Sequence, residues 1–187
     1  MKQFKQPAGH FTPYDDGYPK VTPDTSTPLK KAVIAFEDAI RNDTGLETGA
    51  FFNEDGSFAL GPKTGKPDRV GFSVYDLKRM AGKVYSHNHP SGSSFSLGDV
   101  AIAAEFNLSE ARAVTDLFRH SISAKSWPDV SVLEQTFIEA RQSAETEAME
   151  SIRIGELRRL NFGIELAHKT WVKVASRLLL NYTREKS

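Results

Sequence analysis

One stretch limits the folds open to this chain more than any other: Ser86-His87-Asn88-His89-Pro90-Ser91-Gly92-Ser93-Ser94-Phe95-Ser96-Leu97-Gly98-Asp99. It follows Gly82-Lys83-Val84-Tyr85, which reads as a short strand. Side chains alternate along a strand, so His87 and His89 project from one face and Asn88 from the other. Pro90 ends the pairing because it has no N–H to give to a ladder. Ser96 to Phe106 then reads as a helix, with Val100, Ala103, Ala104 and Phe106 on its inner face. A strand, a glycine-punctuated return and a helix start must therefore meet at one place. Asp99 comes back to the two imidazoles and completes an N/N/O ligand set. That is the ligand count of a catalytic zinc whose fourth position is left to water.

Composition sets the bounds on this proposal. A chain of 187 residues, 39% hydrophobic and 26% charged, can bury one sizeable core. Basic and acidic residues balance to a formal net charge of zero, which speaks against a protein that lives on phosphate contacts. There is no cysteine, so disulfides, thiolate nucleophiles and cysteine-bound zinc are excluded together. The start lacks an apolar signal region and no run of 18 apolar residues occurs, so a soluble, cytoplasmic protein without a membrane partner is expected.

Three regions follow from the order of signals. Residues 1–25 carry four prolines and form an extended leader, with Phe11, Tyr14 and Tyr18 able to lie against the core and His10 most simply solvated. Residues 26–126 hold the metal-binding core. Ser26-Thr27-Pro28 opens a helix whose apolar face is Leu29, Ala32, Val33, Phe36, Ala39 and Ile40, with Glu37 and Asp38 on the solvent side. Glu47–Phe52 and Ser57–Leu60 flank an Asp-Gly turn and read as a hairpin. Val70-Gly71-Phe72 reads as a further short strand, and Ser73-Val74-Tyr75-Asp76 as a capped helix of two turns. Residues 111–115 and 117–123 form a strand pair turning at Asp116, in which His120 shares a face with Phe118 and Ile122. Residues 127–187 read as a helical hairpin packed on the sheet, helical to a basic tail, with His168 exposed near a packed Trp171. The fold class is thus α/β (α+β): a mixed sheet flanked by helices, with a C-terminal helical hairpin.

Metal-assisted hydrolysis needs, besides the ion and its water, a base close to the metal and a donor for the oxyanion. Glu47 is the best candidate for the base, because its strand and Lys83–His87 can be neighbours in one sheet. Glu54, in the hairpin turn, and Glu37, on a helix face, are weaker. Ser96 offers a hydroxyl one helical turn from Asp99. A purely structural reading competes: Ser96-x-x-Asp99 is also a helix-capping pair, and His-x-His before proline could be a surface strand end.

Glu47, His87-Asn88-His89-Pro90 and Ser96-x-x-Asp99 together resemble the signature of the JAMM/MPN+ (JAB1-type) zinc metalloproteases. His-Asn-His-Pro-Ser-Gly is similar to the RadC-like branch, and the wider arrangement resembles JAB domains of phage and polymorphic-toxin proteins. The connector from Pro90 to Ser96 is one residue shorter than the family's. The resemblance spans roughly residues 47–122 and implies a JAB/MPN-like mixed sheet. It implies Zn2+ bound by His87, His89 and Asp99, with Glu47 as general acid/base and Ser96 supporting the tetrahedral intermediate. The expected activity is hydrolysis of peptide or isopeptide bonds in a protein or peptide substrate. A toxin or phage-associated version would meet an immunity protein and act inside a target cell. A RadC-like nucleic-acid-associated protein and a non-catalytic MPN-type scaffold are the other readings.

Overall fold

Thr27 caps the first helix as its hydroxyl predicts: Oγ1 accepts from the Lys30 amide at 3.2 Å, and Pro28 occupies the first turn, where its missing N–H leaves nothing unpaired. Helix α1 (Pro28–Ile40) buries Val33 and Phe36 against the back of a six-stranded sheet. The computed structural model describes residues 18–186. Of the leader's aromatics, Tyr18 stands edge-on to Phe118 at 5.3 Å. His10, Phe11 and Tyr14 lie outside the described residues.

The sheet contains β1 (Thr48–Phe52), β2 (Phe58–Thr64), β3 (Val84–Asn88), β4 (Glu110–Val114), β5 (Phe118–Ser123) and β6 (Asn181–Lys186), in the order β2-β1-β3-β4-β5-β6. The Asp-Gly turn makes the β1–β2 hairpin, with Gly56 at φ 85°, the left-handed region where glycine is unstrained. β3 and β4 run parallel, joined through α3 (Leu97–Glu105); the other neighbours are antiparallel. The sheet is therefore mixed, as expected.

Helices cover both faces. On the α1 side, Val33 and Phe36 meet Ala50, Phe52 and Val84. On the other side, Val100 and Ala103 of α3, Leu133 and Ala140 of α4 (Val130–Arg153) and Trp171 and Val174 of α5 (Phe162–Leu178) meet Phe51, Tyr85, Ala111, Ala113 and Ile122. Double coverage explains why β3 is buried along its whole length instead of alternating.

Four expectations need correction. Residues 70–72 are not a strand: Phe72 tucks edge-on against Phe51 at 5.1 Å, and Gly71 gives its carbonyl to the Lys63 ammonium. The helix at Ser73 is a single turn, α2 (Val74–Leu77), though Leu77 and Met80 do turn inward. The chain is not helical to its end. Leu179 adopts φ 55° and stops α5, after which alternating residues form β6 along β5. Finally, Glu37 does not face solvent. It is fully buried and accepts from Ser86 Oγ at 3.1 Å, Arg112 Nε at 2.7 Å and Arg119 Nε at 3.0 Å. Those arginines lie 75 and 82 residues further along, beyond what helical periodicity can detect.

Candidate metal centre

Alternation along β3 divides two tasks. Ser86 and Asn88 look toward α1 and the loop after it, whereas Tyr85 and His87 look toward α3, followed by His89 just past the strand. On that second face Nε2 of His87 and Nε2 of His89 stand 2.8 Å apart. Asp99, in the first turn of α3, brings Oδ1 to 3.4 Å from His87 Nε2 and Oδ2 to 3.3 Å from His89 Nε2. Glu47 precedes β1 and places Oε1 3.8 Å from His89 Nε2. The expected strand adjacency is present: β1 and β3 are antiparallel, with Gly49 opposite His87. Glycine is needed there, because a Cβ would lie 2.8 Å from Tyr85 Oη and 3.2 Å from His87 Cβ.

Glu47, His87 and His89 are buried, and each offers a donor atom within 4.8 Å of the others, a group that could hold a metal ion. Two properties support the fit. Ligands held at about 2.0–2.1 Å in a tetrahedron lie about 3.3–3.4 Å from one another, which is the His–Asp spacing here. His89 Nδ1 lies 3.2 Å from the Ser93 carbonyl, so with its hydrogen on Nδ1 it donates there and turns the Nε2 lone pair inward. Metal-bound histidines commonly make that outer contact.

The electrostatics are those of opposed charges in a dry site. Burial pushes the Glu47 carboxyl up to about 7, the charges of Asp99 and Asp68 add to this, and His89 opposes it. Burial lowers His87, and Asp99 only partly offsets that. Burial also pulls on His89, but Asp99 and Glu47 outweigh it and leave it raised. For Asp99, burial is overcome by both imidazoles, so its carboxyl lies well below the usual range.

Ser96 fills its capping role in full. Its amide and hydroxyl both donate to Asp99 Oδ2 at 2.7 Å, and its Oγ accepts from the Asp99 amide at 3.3 Å. The capping box and the metal reading are therefore one arrangement, in which the helix start aims Asp99 at the histidines. Glu54 is exposed in its turn and Glu37 lies on the opposite face of the sheet, so neither joins the cluster.

Three residues to which the sequence reading assigned no catalytic or ligand role complete the setting. Asn88 Oδ1 accepts from the Thr48 amide at 2.7 Å, and its Nδ2 donates to the carbonyls of Asp43 and Leu46 at 3.0 Å. It thereby fixes the chain on both sides of Glu47. Its place between two candidate ligands, facing the opposite way, was the available signal. Tyr85 stacks on His87 at 4.8 Å with planes 14° apart. Trp171 Nε1 donates to the Phe95 carbonyl at 2.7 Å, so α5 grips the connector between His89 and Ser96.

Across the sheet, Ala113 separates His87 from His120. His120 shares the Phe118 face as alternation predicts, but is fully buried. Its Nδ1 lies 3.2 Å from Tyr182 Oη, which is 3.1 Å from His168 Nδ1. His168 is therefore a half-buried member of a polar cluster, not an exposed residue.

Compared with protein-family models, curated proteins and solved structures, the chain matches none. Among the described residues, no helix is long and apolar enough to cross a membrane.

Proposed function

We propose that the chain is a zinc-dependent hydrolase of peptide or isopeptide bonds, with a centre of the JAMM/MPN+ kind. The observation that carries this reading is the convergence of separate segments: donor atoms of His87, His89 and Asp99 lie 2.8–3.4 Å apart, and Glu47 Oε1 lies 3.8 Å from His89 Nε2. His87, His89 and Asp99 would hold the ion. When bound, the ion would supply Lewis acidity and a water acidic enough to ionise near neutral pH.

The protein's own groups then divide the remaining work. Glu47 stands close enough to take a proton within the centre and return it to the leaving amine. Ser96, exposed beside Asp99, would turn its one hydroxyl proton from Asp99 Oδ2 to the substrate carbonyl oxygen. Asn88 holds the Glu47 segment in place. A toxin or phage-associated domain would use the same chemistry, and its toxicity would disappear in His87→Ala.

Dialysed protein is expected to carry about one zinc per chain by elemental analysis. Glu47→Gln should retain the metal while amide cleavage falls about 10²–10⁴-fold, the range for loss of a general base. His89→Ala should lose both. Protein without stoichiometric metal would end the hydrolase reading.

A further inference from the structure

An aromatic column leads away from the metal centre. Tyr85 stacks on His87, Phe51 stacks on Tyr85 with centroids 4.6 Å apart, and Phe72 stands edge-on to Phe51 and Tyr85 at 5.1 and 6.0 Å. This column lines a cavity of about 390 Å³, closed by Leu77 and Ile102, that shares Ser96 and Asp99 with the metal centre. Phe51, Tyr85 and Leu77 are only 0–6% exposed, so core packing has already fixed this lining. These three side chains therefore need no further ordering when a ligand enters. The volume lies in the range of small-ligand pockets, about 300–1,000 Å³.

The chemistry of the lining narrows the occupant. Asp68 and Arg69 line the cavity with opposite charges and give it no net sign. The Asp99 carboxylate is already engaged by Ser96 and the two imidazoles. What the cavity offers without a competitor is apolar surface from the half-buried Val70, Phe72 and Ile102, backed by the buried Phe51, Tyr85 and Leu77. α2 sends Leu77 into this lining and leaves Val74 and Tyr75 60% and 74% exposed, so apolar surface continues on that short helix.

We propose that this cavity is the specificity subsite of the hydrolase, taking a large apolar side chain, aromatic or branched aliphatic, next to the scissile amide of a peptide segment. The proposal rests on the hydrolase reading and gives it a substrate class. A glycine at that position leaves the cavity unfilled. Burying one large apolar side chain should favour it over glycine by about ten- to a hundredfold.

The test separates the subsite from the activity. N-acetyl-phenylalanine amide and N-acetyl-glycine amide are titrated into the isotope-labelled full chain, with and without EDTA, and followed by NMR. The phenylalanine amide should shift the signals of Phe72, Leu77 and Ile102 saturably, at least tenfold more tightly than the glycine amide, in both conditions. Phe72→Ala should weaken this binding and Ile102→Trp should block it. Phe72 is half-buried in an irregular segment, so its truncation should leave the fold intact even if the tryptophan variant does not. Equal affinities, or no saturable shift at these residues, would overturn the proposal. In parallel, the zinc-loaded protein is offered a peptide library. Selective binding without cleavage supports the subsite and sinks the hydrolase; cleavage with no preference for apolar over glycine residues does the reverse.

Discussion

The two faces of β3 bury charge in opposite ways. Toward α1, Glu37 receives Ser86, Arg112 and Arg119, while Arg119 also pairs with Asp38, and Arg112 with Glu110 at 2.8 Å. Both Glu37 oxygens have donors. Toward α3, two imidazole nitrogens confront each other at 2.8 Å while carboxylates stand 3.3–3.8 Å away. Those imidazoles and Glu47 form a group that could hold a metal ion. Burial of charge alone does not mark a site, since saturated clusters shift pKa values as well. The difference lies in the partners: guanidinium groups that only donate on one face, imidazoles that can also ligate a metal on the other.

Removing a charge from the saturated face should produce the largest effect. Glu37→Gln leaves two buried guanidinium groups short of a counter-charge and should cost about 3–5 kcal/mol in denaturant unfolding. Metal content should remain at the wild-type level, because Glu37 touches no ligand. A variant that lost metal while keeping its stability would break the distinction between the faces.

Asn88 links the two faces and gives the next largest effect. Asn88→Ala strips partners from the Thr48 amide and the carbonyls of Asp43 and Leu46, which should cost about 1–3 kcal/mol. The segment carrying Glu47 loosens with it. On the hydrolase proposal, amide cleavage should therefore fall while zinc stoichiometry holds, because the proposed ligands His87, His89 and Asp99 are unchanged. Unchanged turnover would remove Asn88 as a positioning residue.

The third buried set, His120–Tyr182–His168, falls between the two extremes. One tyrosine proton cannot serve both Nδ1 atoms as donor, so one imidazole must donate in return. Burial lowers His168 to about 4, with Glu165 opposing and Lys169 adding to the shift. Burial lowers His120 too, with the charges of His168 and His89 acting in the same direction. Between pH 6.5 and about 4 the unfolded chain binds a proton that folded His168 refuses. Its contribution is thus complete above pH 6.5 and is lost as pH falls toward 4. In EDTA, going from pH 7 to 4.5 should cost the wild type about 1–2 kcal/mol more than His168→Gln. Equal losses would show that His168 does not carry this dependence.

Much of the centre could be read in advance because its parts are local. Two histidines two residues apart share a strand face by geometry, a proline ends the strand, and Ser96 with Asp99 begins a helix whatever else they do. Glu47 required one non-local guess, that its strand lies beside β3. A glycine opposite His87 made that pairing possible. The partners of Glu37 come from two other strands, and helical periodicity alone places a carboxylate outside. β6 was hidden for a similar reason: its alternation is polar on both sides, and its role depends on the free edge of β5. Asn88 looked like a spacer because its three partners belong to backbone, which carries no side-chain signature.

The bond from Trp171 to the Phe95 carbonyl also has a meaning in time. A growing chain makes His87, His89 and Asp99 well before the indole that holds their connector, which follows Phe95 by 76 residues. At about 5–20 residues per second, that gap is about 4–15 s of synthesis. During that interval the nascent chain carries these three residues beside an ungripped connector. The proposed centre reaches its full rigidity only in the finished molecule, after α5 has closed over residues made long before it.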